Sequence, residues 1–223
     1  MGRDYAMMDP SAHAGLCFRE RRNLTPMKLL YVAAAGRKHR RELREKQKEK
    51  ILSDLERYGT EVLNSDEMQA AFHQTHHTRS TVGEHTRRVA EKSLAICYAL
   101  DKLHIRTDIS AVVAGSLCHD LGILGRDEKY DSDHECYRQH ASDSIDVARK
   151  LVSDLPEKTQ DIIEHHMWPT PGSKAPESLE GVIVSAADKA AAIEDFILGS
   201  RVKPVGIAET IRNIRKFGTH REP

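Results

Sequence analysis

A histidine and an aspartate stand side by side at the end of an apolar segment, in the sequence SLCHDLGILG of residues 116–125. Both side chains are costly to bury, and a buried charge without a partner costs on the order of several kcal/mol. His119 and Asp120 therefore require a compensating group in any fold that buries this segment. The chain has 13 histidines, and their positions indicate what that group is.

Apolar residues recur with the helical period of 3.6, and almost no stretch of useful length alternates with a period of two. The chain is also poor in aromatic residues and rich in strong helix formers. We therefore predict an all-α protein, whose 223 residues are enough for one well-cored domain with an appendage. The predicted helices cover residues 37–66, 80–103, 108–121, 138–153, 156–167, 178–198 and 206–217.

Three segments are predicted along the chain. Residues 1–65 form an N-terminal arm followed by an amphipathic helix, residues 66–200 form the main helical domain, and residues 201–223 form a helical tail. The basic run of residues 37–50 is compatible with a contact to nucleic acid or a partner, but its interleaved glutamates favour a solvated helix face. The amphipathic residues 44–63 could pack on their own domain or on a second copy, which leaves a homodimer open.

Composition excludes several functional classes. The 34 basic residues balance 34 acidic ones, so no net charge attracts the chain to nucleic acid or to a membrane surface. Four scattered cysteines without a CxxC pair argue against a disulfide framework and against a cysteine zinc site. The apolar stretch MKLLYVAAAG at residues 27–36 is too short to span a bilayer and starts too deep in the chain for a signal peptide. We expect a cytoplasmic protein.

Five predicted helices each carry a histidine or an aspartate on or beside the apolar stripe that faces the core. Any one of these residues alone would be read as a core side chain satisfied by a single hydrogen bond or ion pair. Imidazoles and carboxylates that converge from neighbouring helices are, however, the ligands that divalent transition metals require. We therefore predict a metal site from the inward residues, namely His85, His119, Asp120, His140, His165, His166 and Asp188.

The order H…HD…D, with the sequences TVGEHTRRVA, HDLG and IVSAADK around it, resembles the HD-domain superfamily of metal-dependent phosphohydrolases. The resemblance covers residues 70–198 and implies a helical bundle, here with an N-terminal helical extension. Histidines between HD and the last aspartate are similar to those of the HD-GYP and myo-inositol oxygenase branches, which bind two metals. The GYP signature and the lysine of HD-GYP proteins are missing, so cyclic-di-GMP hydrolysis does not carry over.

The resemblance implies how the ligands are divided. His85, His119 and Asp188 would hold one divalent transition metal, His140 and His166 (or His165) would hold a second, and Asp120 would bridge them. Imidazole and carboxylate ligands bind iron, manganese, cobalt, nickel and zinc alike, so they do not identify the metal. Two metals per chain are expected.

The implied activity is hydrolysis of a phosphoester, either a nucleotide or a small phosphomonoester or diester, by a metal-activated water. One alternative is a diiron oxygenase of the myo-inositol oxygenase type. Another is a metal-stabilised module that binds a nucleotide without turnover. Hydrolysis ranks first because most of the superfamily hydrolyses phosphates, which is an argument by analogy.

Positive or proton-donating groups near the predicted metals are candidates for contacting the substrate phosphate. Arg88 lies one turn beyond the first ligand, Lys189 follows the last aspartate, and Arg126 lies in the loop after HD. Each of them could equally be a surface charge. His77 could reach the pocket as a proton donor or remain a solvent-facing loop histidine. Trp168, the one tryptophan, could stack on a nucleobase or simply cover a helix end.

Overall fold

The computed structural model describes residues 26–77 and 80–198, and the side chains of residues 36–76 and 80–196. The predicted arm of residues 1–25 and the predicted tail of residues 201–223, with its helix over 206–217, lie outside the described residues. The described elements are α1 (Pro26–Leu63), α2 (Asp66–Ala71), β1 (Thr75–His77), β2 (Ser80–Thr81), α3 (Val82–Asp101), α4 (Ile109–Cys118), a 3₁₀ turn (Leu121–Ile123), α5 (Arg126–Lys129), α6 (Asp133–Leu151), α7 (Glu157–His165) and α8 (Leu179–Leu198).

The all-α prediction is confirmed. Within the described ranges, strands occur only in one short antiparallel hairpin of β1 and β2. The described residues divide into two units, one that ends at residue 50 and one that begins at residue 51. The three-segment division predicted from the sequence remains a prediction.

The first unit contributes the charged half of α1. Side chains of residues 37–50 are exposed, except for the half-buried Gln47. Lys38 and Glu42 form an exposed pair four residues apart, with 3.9 Å between Nζ and Oε1. Such pairs stabilise a helix by only a few tenths of a kcal/mol, about 0.2–0.5. These exposed side chains are consistent with the solvated helix face predicted for this segment.

Capping hydrogen bonds mark the residues at which helices of the second unit begin. Ser65, Asp108 and Ser132 each accept a backbone N–H of the following turn, which satisfies a donor that has no partner within the helix. Thr81 and Glu84 form a reciprocal capping box at the start of α3. Because Ser132 caps α6, this helix begins at residue 133 and not at the predicted residue 138.

The core of the second unit surrounds α4. This helix packs against α3, α7 and α8, and α8 packs in turn on α3 and α7. Residues 111–118 are all buried, which explains why their sequence is apolar on every face. Leu55 and Val62 of α1 join this core, whereas Tyr58 is 38% exposed.

Two glycines allow close approach between elements. A Cβ at Gly59 would lie 2.6 Å from Cδ1 of Leu117, so the absence of a side chain at residue 59 lets α1 lie close to α4 there. A Cβ at Gly122 would lie 2.3 Å from the carbonyl oxygen of His140 and 2.5 Å from the backbone nitrogen of Ser144. The Gly122 N–H donates to Oγ of Ser144 at 2.8 Å. The turn that follows Asp120 is thereby pressed onto the backbone of α6.

Across residues 26–77 and 80–198, no helix combines the length and apolarity that a membrane crossing needs.

We expect Gly122→Ala to lower the free energy of unfolding of the metal-free protein by about 1–3 kcal/mol, since the new methyl group meets backbone atoms that cannot rotate away. Urea denaturation followed by circular dichroism measures this change. Gly36→Ala is the control, because its Cβ would have only the end of the Arg40 side chain nearby, at 3.9 Å. Equal stabilities of Gly122→Ala and the parent protein would contradict the close packing of the turn on α6.

Candidate metal centre

Asp120 lies at the centre of a buried group of histidines and aspartates. It follows the C-terminus of α4 and precedes the 3₁₀ turn, and only 4% of it is exposed. Its two carboxylate oxygens face different partners. Oδ2 faces residues of α3, the end of α4 and the hairpin, whereas Oδ1 faces histidines of α6 and the end of α7.

The Oδ2 side contains the residues expected for a first metal. Nε2 of His119 lies 3.2 Å from Oδ2 of Asp120, and Nε2 of His85 lies 3.8 Å from it. Oδ1 of Asp188, on α8, is 2.8 Å from Nε2 of His85 and 3.8 Å from Nε2 of His119. Three separate helices therefore bring four potential ligand atoms into one place.

The Oδ1 side contains two further imidazoles. Nε2 of His140 lies 3.6 Å from Oδ1 of Asp120, and Nε2 of His166 lies 3.4 Å from it. The two Nε2 atoms are 3.1 Å apart. The neighbouring His165 does not join them: its Nδ1 hydrogen-bonds Oδ1 of Asp161 at 2.8 Å.

Backbone carbonyls determine which ring nitrogen faces the cluster. Nδ1 of His119, His140 and His166 lies 2.7–2.8 Å from the carbonyl oxygens of Ser116, Cys136 and Ile163, respectively. Because a carbonyl oxygen can only accept, each Nδ1 carries the proton. In the neutral ring, Nε2 then presents a lone pair toward Asp120.

This arrangement fits a cation. The Nε2 lone pairs of His140 and His166 face each other and Asp120 Oδ1 with no hydrogen between them. Nε2 of His119 is buried and has no hydrogen bond. A transition metal binds imidazole nitrogen at about 2.0–2.1 Å, so neighbouring ligand atoms lie roughly 3.0–3.4 Å apart, close to the separations found here. Imidazoles held by carbonyls through the other ring nitrogen are also typical of metal ligands.

Burial and neighbouring charges shift the pKa values of the residues in this cluster. Burial alone would raise the pKa of Asp120, but His119 and the other neighbouring imidazoles hold it well below its usual range. Burial opposes the charged form of His85, yet its hydrogen bonds to Asp188 and Asp195 raise its pKa to about 9. Burial lowers the pKa of His166 and outweighs the attraction of the nearby Asp120 carboxylate, which favours the neutral imidazole.

Asp195 is a site residue that the sequence analysis missed. Its Oδ2 lies 3.3 Å from Nδ1 of His85 and accepts the hydroxyl of Ser80 at 3.1 Å, and its Oδ1 pairs with Arg88. A carboxylate behind a histidine orients the ring and increases its basicity as a ligand. Its position seven residues after Asp188, on the same face of α8, was the sequence signal for this role.

His76 is a second residue outside the predicted set. Its Nε2 lies 3.3 Å from Oδ2 of Asp120, on the same side as His85 and His119. The side chain of the predicted His77 lies outside the described residues.

The three basic residues predicted to contact the substrate phosphate have different partners. Nζ of Lys189 donates to Oδ2 of Asp188 at 2.7 Å and to the carbonyl oxygen of His166 at 3.0 Å. Arg88 reaches the site only through Asp195. Arg126 pairs instead with the exposed Asp133 and lines a depression of about 320 Å³.

Trp168 is half-buried, and its carbonyl oxygen accepts the hydroxyl of Ser185. This contact ties the segment after His166 to α8.

We expect the free energy of unfolding of the metal-free protein to fall between pH 6.5 and pH 9. His85 holds its proton up to about pH 9 in the folded chain but only to its ordinary value of 6.5 when unfolded. Its stabilisation is therefore complete below pH 6.5 and is lost as the pH rises through 9. Urea denaturation across this range should show the slope, and His85→Gln should reduce it. The exposed His73 supplies the control, His73→Gln. An unchanged slope in His85→Gln would contradict a charged His85.

The family model of the HD domain matches residues 82–193, half of the chain. No curated protein and no solved structure matches the chain. The match confirms the resemblance found in the sequence, and HD domains bind divalent metals. It contains every ligand expected on both sides of Asp120, whereas His76 and Asp195 lie outside it. The chain belongs to the HD domain family, whose members are generally metal-dependent phosphohydrolases.

Proposed function

We propose that this protein hydrolyses a phosphoester, either a nucleotide or a small phosphomonoester or diester, at a centre of two divalent metals bridged by Asp120. One observation carries the proposal: the two oxygens of one buried carboxylate face two separate sets of imidazoles. A single-metal site would need only one of these sets. In the second set, Nε2 of His140 and Nε2 of His166 face each other at 3.1 Å and face Oδ1 of Asp120 at 3.6 and 3.4 Å.

In this proposal His85, His119 and Asp188 hold the first metal, and His140 and His166 hold the second. The bound metals would supply a hydroxide nucleophile at neutral pH and positive charge for the phosphoryl oxygens. The protein's own contribution is to fix the ligands. The carbonyls of residues 116, 136 and 163 orient three of the imidazoles, and Asp195 orients His85.

Two cations are proposed to meet the substrate phosphate. The side chains of Arg88 and Lys189 are 33% and 28% exposed, so each can reach solvent while bonded to a carboxylate of the centre. Asp195 and Asp188 hold these cations next to the proposed metals. His77 is proposed as a proton donor because it lies just before the helix that carries His85.

Phosphate release by the purified protein tests the activity. The protein loaded with Mn²⁺, Co²⁺ or Fe²⁺ is incubated with nucleoside mono-, di- and triphosphates, cyclic nucleotides and small phosphomonoesters. We expect release from at least one class, with loss of activity in Asp120→Asn and retention in His73→Ala. Activity retained by Asp120→Asn would rule out this centre as the catalytic site.

The donor set of four imidazoles and two carboxylates also suits iron. Oxygen uptake by the ferrous protein, without release of phosphate from any substrate, would therefore indicate a diiron oxygenase and not a phosphohydrolase. Binding of two metals and of a nucleotide without turnover would assign a binding module.

We expect His140→Ala to reduce the metal content from about two ions per chain to about one, since the Oδ1 side then keeps only His166 and Asp120. Metal analysis after gel filtration measures the stoichiometry. His165→Ala is the matched control, because His165 lies on α7 next to His166 but bonds Asp161. If His140→Ala keeps both the metal content and the activity of the parent protein, the two-metal assignment is wrong.

A further inference from the structure

His76 contacts the metal centre from a hairpin that lies outside the family match. It belongs to β1, six residues before the matched region begins at residue 82. Its side chain is 11% exposed, its Nε2 is 3.3 Å from Oδ2 of Asp120, and its ring centroid is 4.6 Å from that of His85. The potential ligand atoms of His76, His85 and Asp120 all lie within 4.8 Å of one another.

A bulge in the hairpin directs this side chain. Thr75 pairs with Thr81 and His77 pairs with Ser80, so two residue steps on β1 oppose one step on β2. His76 is the extra residue. Bulges of this kind commonly re-aim a side chain next to an active site.

The hairpin is also attached to the turn that follows Asp120. The side-chain amide of Gln74 donates to the carbonyl oxygen of Ile123 at 2.8 Å, and its Oε1 accepts the N–H of Gly125 at 2.8 Å. These two hydrogen bonds fix β1 against the segment that carries Asp120. The Gln74 side chain thus helps to hold His76 near Asp120.

The two sides of Asp120 are consequently unequal. On the Oδ2 side, five residues present ligand atoms: His76, His85, His119, Asp188 and Asp120 itself. On the Oδ1 side, three residues do so: His140, His166 and Asp120. Sites that keep three protein ligands leave positions for water or substrate, whereas sites filled by the protein do not.

We propose that His76 is a metal ligand on the Oδ2 side. This proposal rests on the two-metal centre proposed above. It makes the Oδ2 side a tight position with five protein ligands and the Oδ1 side a weaker position that is open to water and to the substrate phosphate.

Titration with Co²⁺, followed by visible absorption, tests the proposal, because the absorption of Co²⁺ depends on the number and geometry of its ligands. We expect the parent protein to bind two ions with unequal affinity. His140→Ala should lose the weaker ion. His76→Ala should still bind two ions at saturation, but with the tighter affinity reduced roughly tenfold or more and the spectrum of that ion changed.

Free imidazole provides a second measurement. It should restore the parent spectrum in His76→Ala, since the removed side chain leaves a space that is partly open to solvent. The control is His73→Ala, which removes an exposed histidine three residues earlier and should match the parent protein. If His76→Ala does not fold, as judged by circular dichroism, His76→Gln replaces it in the same titration.

The outcomes separate the two proposals. A tight ion whose spectrum is unchanged in the His76 variant, even with a weakened affinity, would show that His76 only hydrogen-bonds Asp120, and would overturn this inference alone. A parent protein that binds fewer than two ions would overturn the two-metal centre itself.

Discussion

The structure depends on the burial of one carboxylate, Asp120, among imidazoles. A carboxylate that is 4% exposed would ordinarily be neutralised or ion-paired. Here its neighbours are imidazoles, and a second buried carboxylate, Asp188, adds negative charge on the same side. A shared cation would relieve both problems, because it would attract the carboxylates and accept the lone pairs of the imidazoles. The four packed helices α3, α4, α7 and α8, together with α6, position these side chains.

Helix ends explain why the HD and HH pairs lie where they do. His119 is the C-cap residue of α4 and His166 is the C-cap residue of α7. The last carbonyls of a helix have no partner within it. In both cases an imidazole Nδ1–H satisfies the carbonyl three residues earlier, and Nε2 is thereby aimed away from the helix. The same hydrogen bond satisfies a carbonyl at the helix end and orients the imidazole.

Much of this arrangement could be predicted from the sequence, because helical periodicity places His85, His140 and Asp188 on inward stripes. The roles of adjacent residues are harder to distinguish from the sequence, as with His165 and His166. Only the structure shows that His165 hydrogen-bonds Asp161, whereas His166 faces Asp120. His76 was not predicted, since β1 and β2 have only three and two residues. Strands that short carry no measurable period, and the bulge between them has no sequence signature here.

The features that flank the family match both act on the Oδ2 side of Asp120. Asp195 lies two residues beyond the match and supports His85, while it also accepts the hydroxyl of Ser80 on β2. Asp195 therefore links the hairpin that carries His76 to α3 and to the end of α8. Every ligand on the Oδ1 side, in contrast, lies within the match. With His76 as a ligand, the residues outside the match would change the electron donation only to a metal on the Oδ2 side.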